Sequence, residues 1–518
     1  MIDGTPLLHV YAAYRRRQLA SQDPVRVQER TLLHLVATAA KTRFGRDHGF
    51  ADIRSIAEFQ ARVPLRRFEN MWADYWQSSF PRLVDCTWPG TIPFFAVTSG
   101  TTTGETKHIP CSRDIIANQR MATMDLIVHH LHARPRSRLF GGKNFMLGGS
   151  TAMNEIAPGI HAGDLSGIMA SSVPWWAAPF YYPPRQLQAI TDWEERIDKA
   201  APASMEADIR AIGGTPSWLL LFFDKLATLR PERGRRLASF YPNLEMVVHG
   251  GVNFAPYRGA FATLLEGSNA ETREVYPASE GFIAVADRGD GEGLRMVVDQ
   301  GVFFEFIPVE ELDSPSPTRH WLATAEVGVN YALALSTCAG LWSYVIGDTV
   351  RLVERHPARL LITGRTSYSL SAFGEHLIGE EIDDAIAAAA QSIDSQVTDY
   401  SVGAVFPDGD NAVGGHLFIV EFESGDPGPE RTEAFRETLD RRLAERNEDY
   451  RVHRKRDFGM RRPSVYAVPP GTFAAWMKTR GKFGGQNKVP RVINDQALFE
   501  TLRSFVGVPV AAGADGER

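Results

Sequence analysis

The middle third of the chain alternates short strand-forming runs with helix-forming ones, and the strands end in glycine-bearing loops. Met246-Val247-Val248 passes into His249-Gly250-Gly251-Val252, and Glu274-Val275-Tyr276 passes into Pro277-Ala278-Ser279-Glu280. The apolar run Trp218 to Phe223 continues into a helix with Leu226, while Gly301 to Pro308 and Asp348 to Val353 alternate as strands do. Parallel strands need a crossover connection, usually a helix. The alternation therefore predicts an α/β fold with a mostly parallel sheet, whose strand-end loops are the natural place for a ligand.

A chain of 518 residues is too long for one compact core and implies two or three units. With 44% hydrophobic and 23% charged residues it is neither disordered nor fibrous. A net charge of −6 gives no electrostatic reason to expect nucleic acid or an anionic membrane. The apolar run at Trp218–Phe223 is far short of the roughly 20 residues that span a bilayer. Arg15, Arg16 and Arg17 follow the N-terminal apolar stretch, the reverse of a secretory signal. Cys86, Cys111 and Cys338 are far apart and in no metal-ligand spacing, which reads as a reducing compartment. The expectation is a soluble, cytoplasmic monomer.

Leu32, Leu35, Val36 and Ala39 mark one face of an early helix, and Ser112 is placed to cap another from Arg113. Beyond Gly364-Arg365 the pattern resets. A helix with Ile382, Ile386 and Ala390, strands near Ser401–Phe406 and His416–Phe422, a Phe435/Leu439/Leu443 ladder and a strand at Ser464–Val468 predict a smaller α+β domain. The expected division is 1–370 and 371–518.

Four elements carry candidate chemistry. Thr98-Ser99-Gly100-Thr101-Thr102-Thr103-Gly104-Glu105-Thr106-Lys107 follows a strand and offers hydroxyls, flexible backbone and a cation to phosphate oxygens, without the Walker A spacing. Tyr276-Pro277-Ala278-Ser279-Glu280 offers a ring for a purine, a hydroxyl for phosphate and a carboxylate for Mg²⁺. In Tyr344-Val345-Ile346-Gly347-Asp348 the aspartate can hold ribose hydroxyls. The Gly-rich segment Gly481 to Arg491 carries Lys488, whose charge would gain strength in a closed, dry site. Taken singly, each has a plainer reading: a polar hairpin, a packed tyrosine with a solvated glutamate, a turn aspartate, a solvated loop. The basic run Arg451–Arg456 and the Gly289–Gly293 segment read as turns, and the histidines show no metal spacing.

In this order the elements resemble those of adenylate-forming ligases. More narrowly, the chain resembles the Gretchen Hagen family of acyl acid amido synthetases, the plant auxin- and jasmonate-conjugating enzymes with their bacterial relatives. The resemblance also rests on Thr42 to Gly49, Gly214-Thr215-Pro216-Ser217-Trp218, Phe304-Glu305-Phe306-Ile307-Pro308 and Gln486 to Arg491. It implies a large N-terminal domain of β-α-β sheets with a β-barrel element, and a smaller mobile C-terminal lid. It also implies a two-step reaction with ATP and Mg²⁺: a carboxylic acid is adenylated with release of pyrophosphate, then an amine, typically of an amino acid, displaces AMP. Carried over, Thr98, Ser99, Gly100, Thr101 and Thr102 would hold the phosphates. Tyr276 would stack near adenine, Ser279 would contact phosphate and Glu280 would bind the metal. Asp348 would hold the ribose with Arg365 assisting, Gly250, Gly251 and Val252 would line the cleft, and Lys488 would serve adenylation.

The chain departs from the family pattern at four places. Thr98 stands for a serine, Val345 for an arginine and Asn487 for a tyrosine, and Glu375 or His376 occupies the region of a plant lysine. Two other functions compete: acyl transfer to a thiol such as coenzyme A or a carrier protein, and a non-catalytic nucleotide-binding regulator. Trp175, Trp176, Phe180, Trp218 and Phe222 suit an apolar acyl group or, equally, a packed core.

Overall fold

The computed structural model describes residues 3–99, 106–175, 177–251, 254, 257–366, 370, 375, 377–406, 414–447, 450–451, 454, 460–482 and 488–508. The chain divides into two compact units, Met1–Val252 with Leu264–Ile362, and Asn253–Thr263 with Thr363–Arg518. Residues 253–263 are thus an excursion of the middle of the chain into the second unit.

In the first unit, Asp23 caps the helix Pro24–Ala39 by accepting hydrogen bonds from the backbone N–H groups of Val25 and Arg26. Its buried stripe includes Leu32, Leu35, Val36 and Ala39, as the spacing predicts. Ser112 accepts from the Ile115 N–H at 3.1 Å and starts the helix Arg113–Ala133. A four-stranded sheet of order β2-β1-β5-β4 pairs β1 (Phe94–Ser99) with β2 (Thr106–Cys111) as a hairpin, Thr98 opposite Lys107 and Ser99 opposite Thr106, and is completed by β4 (Asn154–Ala157) and β5 (Ile160–Gly163).

The larger sheet has eleven strands: β3 (Lys143–Leu147), β6 (Tyr181–Tyr182), β7 (Ile209–Gly214), β8 (Met246–Gly250), β9 (Glu271–Pro277), β10 (Phe282–Val285), β11 (Leu294–Met296), β12 (Val302–Pro308), β13 (Asn330–Thr337), β14 (Tyr344–Arg355) and β15 (Ala358–Arg365). Their order is β12-β13-β14-β15-β11-β10-β9-β8-β7-β3-β6. Strands β6, β3, β7, β8 and β9 are parallel. From β9 onward the β9–β10, β10–β11, β11–β15, β13–β14 and β12–β13 pairs are antiparallel. The mostly parallel sheet is therefore corrected to one parallel in one half. The links from β9 to β10, from β10 to β11 and from β13 to β14 are short, and links of that length admit only antiparallel neighbours. The expected barrel element is also corrected: among the described residues no sheet closes, because β12 and β6 remain separate edges.

Glu305, in the Phe304–Pro308 motif, is fully buried. Arg319 grips it at 2.8 Å, Ser343 donates to it at 2.6 Å and Gln60 at 2.9 Å, so the carboxylate has the partners a buried charge needs. Arg319 also donates to the carbonyls of Gln60 and Val63. The motif thus ties the N-terminal helices to the sheet.

The second unit holds a sheet of order β18-β17-β16-β19, with β16 (Val397–Val405), β17 (Gly415–Phe422), β18 (Ser464–Val468) and β19 (Val492–Ile493). Phe418 and Val420 pack with Ile382, Ile386, Phe435, Leu439 and Leu443 from two helices, while Leu417 and Ile419 pack with Phe473, Trp476, Phe499 and Leu502 from two others. Covering both faces explains why β17 is buried along its whole length. No helix among the described residues is long and apolar enough to cross a membrane.

Candidate active site

The candidate residues of the first unit gather where the large sheet changes direction. Gly250 ends β8 beside Val275 of β9, so Gly250 and Tyr276 reach the same edge on adjacent parallel strands. Strand β9 is parallel to β8 and antiparallel to β10, which makes this edge a switch point of the topology. A Cβ on Gly250 would lie 2.3 Å from the Val275 carbonyl oxygen, so the close approach of the two strands itself demands glycine there.

Tyr276 is buried, and its hydroxyl donates to the Asp348 carboxylate at 2.7 Å. Asp348 reaches it through a bulge. Ala332 faces Thr349 and Ala334 faces Val345, so three residues of β14 oppose Leu333 alone. Gly347, at φ 85°, supplies the left-handed turn that the extra residues require. The Gly-Asp pair is thus a device for re-aiming a carboxylate out of a strand. Ser279 and Glu280 sit half-buried in the tight turn that follows, closed by hydrogen bonds between Ala278 and Gly281.

The hairpin base lies close by. Ala278 packs against the same core as Phe94 and Val97 of β1. Burial first, and then the charge of Glu280, push the Cys111 thiol at the end of β2 up to about 12. Thr98 and Ser99 are the last residues of β1, while Gly100, Thr101, Thr102 and Val252 lie outside the described residues. Gly251, with φ 85°, follows directly after β8. Arg365 ends β15, and with Lys488, which is exposed, it belongs to the second unit.

One sequence expectation changes, and one left open is narrowed. Lys107 does not extend the polar loop as a spare cation: its Nζ pairs with Glu69 at 3.0 Å and lies over the Phe68 ring. Phe222 is fully buried edge-on to Phe145 and Trp218 is buried as well, so these two are core residues. Phe180 packs against Phe140, Trp175 is exposed, and Trp176 lies outside the described residues. Val345 is buried among Ile307, Ala332 and Ala334, an apolar setting for the position where relatives carry arginine.

Of the two residues in the region of the plant lysine, Glu375 is described and His376 lies outside the described residues. Glu375 is fully buried and pairs with His416 Nε2 at 2.8 Å. Two polar residues 41 positions apart carry no local signal of such a pairing.

Residues 13–200, 295–365 and 380–497 match the N-terminal, central and C-terminal domains of the GH3 family, well over half the chain. An indole-3-acetic acid-amido synthetase of Oryza sativa subsp. indica is 29% identical over 219 residues, covering 39% of this chain and 35% of that protein. A probable indole-3-acetic acid-amido synthetase of Oryza sativa subsp. japonica is 28% identical over 251 residues, 45% of this chain and 56% of that protein. The chain thus spans between about a third and somewhat over half the length of these curated relatives. Among solved structures, a GH3.15 acyl acid amido synthetase in complex with 2,4-DB superposes with a TM-score of 0.79 at 17% identity, over 96% of each chain. A 2-hydroxyisobutyryl-CoA ligase in the postadenylation state gives 0.58 at 16% identity, over 92% of this chain and 91% of that one. These likenesses establish a shared fold. With all three family domains matched in order along it, the chain belongs to the GH3 family.

Proposed function

We propose that this protein is an ATP-dependent acyl acid amido synthetase. It adenylates a carboxylic acid, releasing pyrophosphate, and passes the acyl group to an amine, in the simplest case that of an amino acid. The observation that carries the reading is the Tyr276–Asp348 hydrogen bond at the sheet's switch point, with Ser279 and Glu280 in the next turn. Family membership supports the same activity.

In this reading Asp348, oriented by Tyr276, holds the ribose, and Tyr276 borders the adenine. Thr98, Ser99, Gly100, Thr101, Thr102 and Ser279 hold phosphate oxygens, and Gly250, Gly251 and Val252 line the cleft. Arg365 assists at the nucleotide, and Lys488 supplies positive charge in the adenylation step. The chemistry is mostly positioning and charge stabilisation, since a carboxylate becomes a good electrophile once AMP is its leaving group.

Among the described residues no cluster of three or more His, Cys, Asp or Glu could hold a metal by itself. The donor set fits Mg²⁺ held by Glu280 together with substrate phosphates, the usual arrangement for that ion. When bound, Mg²⁺ would neutralise phosphate charge. We also assign the protein to a reducing, cytoplasmic setting as a monomer acting on small molecules, with residues 371–518 as the lid on 1–370. Its cysteines Cys86, Cys111 and Cys338 are all free and buried.

The test is ATP–pyrophosphate exchange dependent on a carboxylic acid, screened over aromatic and aliphatic acids. Product mass spectrometry with amine and thiol acceptors side by side then separates amide synthesis from thioester formation. Absence of exchange with every acid would overturn the reading.

A further inference from the structure

Arg491 lies three residues after Lys488, and its guanidinium is held by a carboxylate and a phenol. Its Nη1 donates to Asp383 at 2.7 Å and its Nη2 to the Tyr257 hydroxyl at 2.9 Å. The guanidinium also lies over the rings of Tyr400 at 4.8 Å and Tyr257 at 5.6 Å. Tyr400 in turn donates to Asp383 at 2.6 Å, so two of the three partners brace each other. Asp383 comes from the helix Gly379–Ser392, Tyr400 from β16, and Tyr257 from the excursion of residues 253–263. One side chain thus joins three segments that are distant in sequence.

The backbone beside it is fastened as well. Val402 donates to the Arg491 carbonyl at 2.7 Å, Ser401 to the Pro490 carbonyl at 2.8 Å, and Val402 faces Val492 in the ladder. Segment 490–493 is therefore fixed, whereas Lys488 is exposed just upstream. Three residues span at most about 10 Å, so the anchor sets the volume the lysine can search. A long side chain is effective only within a narrow range of geometries, and a misplacement of about 1 Å can cost roughly a hundredfold in rate.

We propose that Arg491 is a positioning residue for Lys488, gripped by Asp383, Tyr400 and Tyr257 so that the lysine-bearing segment leaves the sheet at a fixed point. The proposal rests on the adenylation role given to Lys488 above and adds a residue that the reaction itself never touches. Tyr257 belongs to the stretch 253–263, so within the second unit the same anchor joins that stretch to the lysine-bearing segment.

The test uses the full-length protein with Tyr257→Phe, which keeps the ring and removes one hydrogen bond, and Arg491→Lys, which keeps the charge and removes the fork. Two readouts are taken: acid-dependent ATP–pyrophosphate exchange, and deuterium uptake of the peptide covering 488–493. The expected result is a kcat lowered about tenfold or more in both variants with KM for ATP and acid nearly unchanged. Uptake over 488–493 should quicken while that of 415–422 stays as in the parent. Parent-like kcat in both variants, with Lys488→Ala inactive, overturns the positioning role and leaves the proposed function standing. Unchanged uptake over 488–493 in both overturns it whatever the activity. If the parent shows no exchange with any acid, the functional reading fails, and deuterium uptake alone then decides whether Arg491 fixes the segment. Should Arg491→Lys fail to fold, Tyr257→Phe carries both readouts.

Discussion

Tyr276 and Asp348 stand 72 residues apart in the chain and 2.7 Å apart in the fold, the phenol donating to the carboxylate. The bond fixes the aspartate's rotamer. If Asp348 holds the ribose, removing the phenolic hydroxyl leaves the carboxylate to wander without changing its charge.

Tyr276→Phe is therefore expected to raise KM for ATP several-fold in the exchange assay. A hydrogen bond to a charged group contributes about 1.5–3 kcal/mol, of which part is recovered by water. The kcat at saturating ATP should change less, because the chemistry lies at the phosphates. An unchanged KM for ATP would remove Tyr276 from the nucleotide site.

Gly347 tests the same carboxylate through the backbone. Its φ of 85° is the left-handed conformation, which costs an L-residue roughly 1–2 kcal/mol. Gly347→Ala should lower stability by about that amount and, by disturbing the bulge, raise KM for ATP further than the strain alone suggests. Urea unfolding alongside exchange kinetics separates the two effects. A variant with parent-like KM would show that the bulge does not aim Asp348 at substrate.

Local signals made much of this architecture readable. The Ser112 cap, the Leu32 to Ala39 stripe and the fully buried Phe435, Leu439 and Leu443 ladder are statements about one to four neighbouring turns. The strand-end motifs were legible for the same reason, since glycine and aspartate mark turns through local sterics. The antiparallel half of the sheet was not, because pattern identifies a strand but not its partner. Tyr276 meeting Asp348, Glu375 meeting His416 and Arg491 meeting Tyr257 are likewise products of tertiary packing. Lys107 misleads by adjacency: it follows the polar loop in sequence, yet Glu69 neutralises it.

Away from the site, a buried charge cluster sets a pH response. His130 hydrogen-bonds Glu271 at 2.7 Å, and Arg134 and Arg273 hold the same glutamate at 3.0 and 2.6 Å. Burial alone would raise Glu271, but hydrogen bonds from His130 and Arg273 outweigh it and hold the carboxyl at about 2. The folded value lies below the unfolded one, so the stabilisation is present above about pH 4.5 and is lost as pH falls toward 2. His130 is shifted the other way: burial opposes the charge, yet Glu245 and Glu271 raise its value, so its contribution is lost as pH rises through the folded value. Glu271→Gln should be less stable than the parent at pH 6 and should flatten the fall in stability between pH 4.5 and 2. Urea titrations across that window check it; a parallel acid limb in the variant would assign the response elsewhere.

The second unit also holds a buried polar pair, Glu375 with His416. Glu375 and His416 are both buried, at 0% and 2% exposure, so neither can be stranded without a partner at low cost. Leaving a buried polar group without its hydrogen-bond partner costs about 1–3 kcal/mol, and more where the group is charged. Glu375→Ala should thus destabilise the second unit strongly, whereas Glu375→Gln, which can still accept from His416, should cost much less. If the pair only shapes the second unit, Glu375→Gln will transfer acyl groups to amines at the parental rate once folded protein is corrected for. A Glu375→Gln variant that adenylates normally but fails in amide formation would instead place the glutamate in the second step. Single-turnover transfer from preformed acyl-adenylate, measured beside thermal unfolding, distinguishes these outcomes.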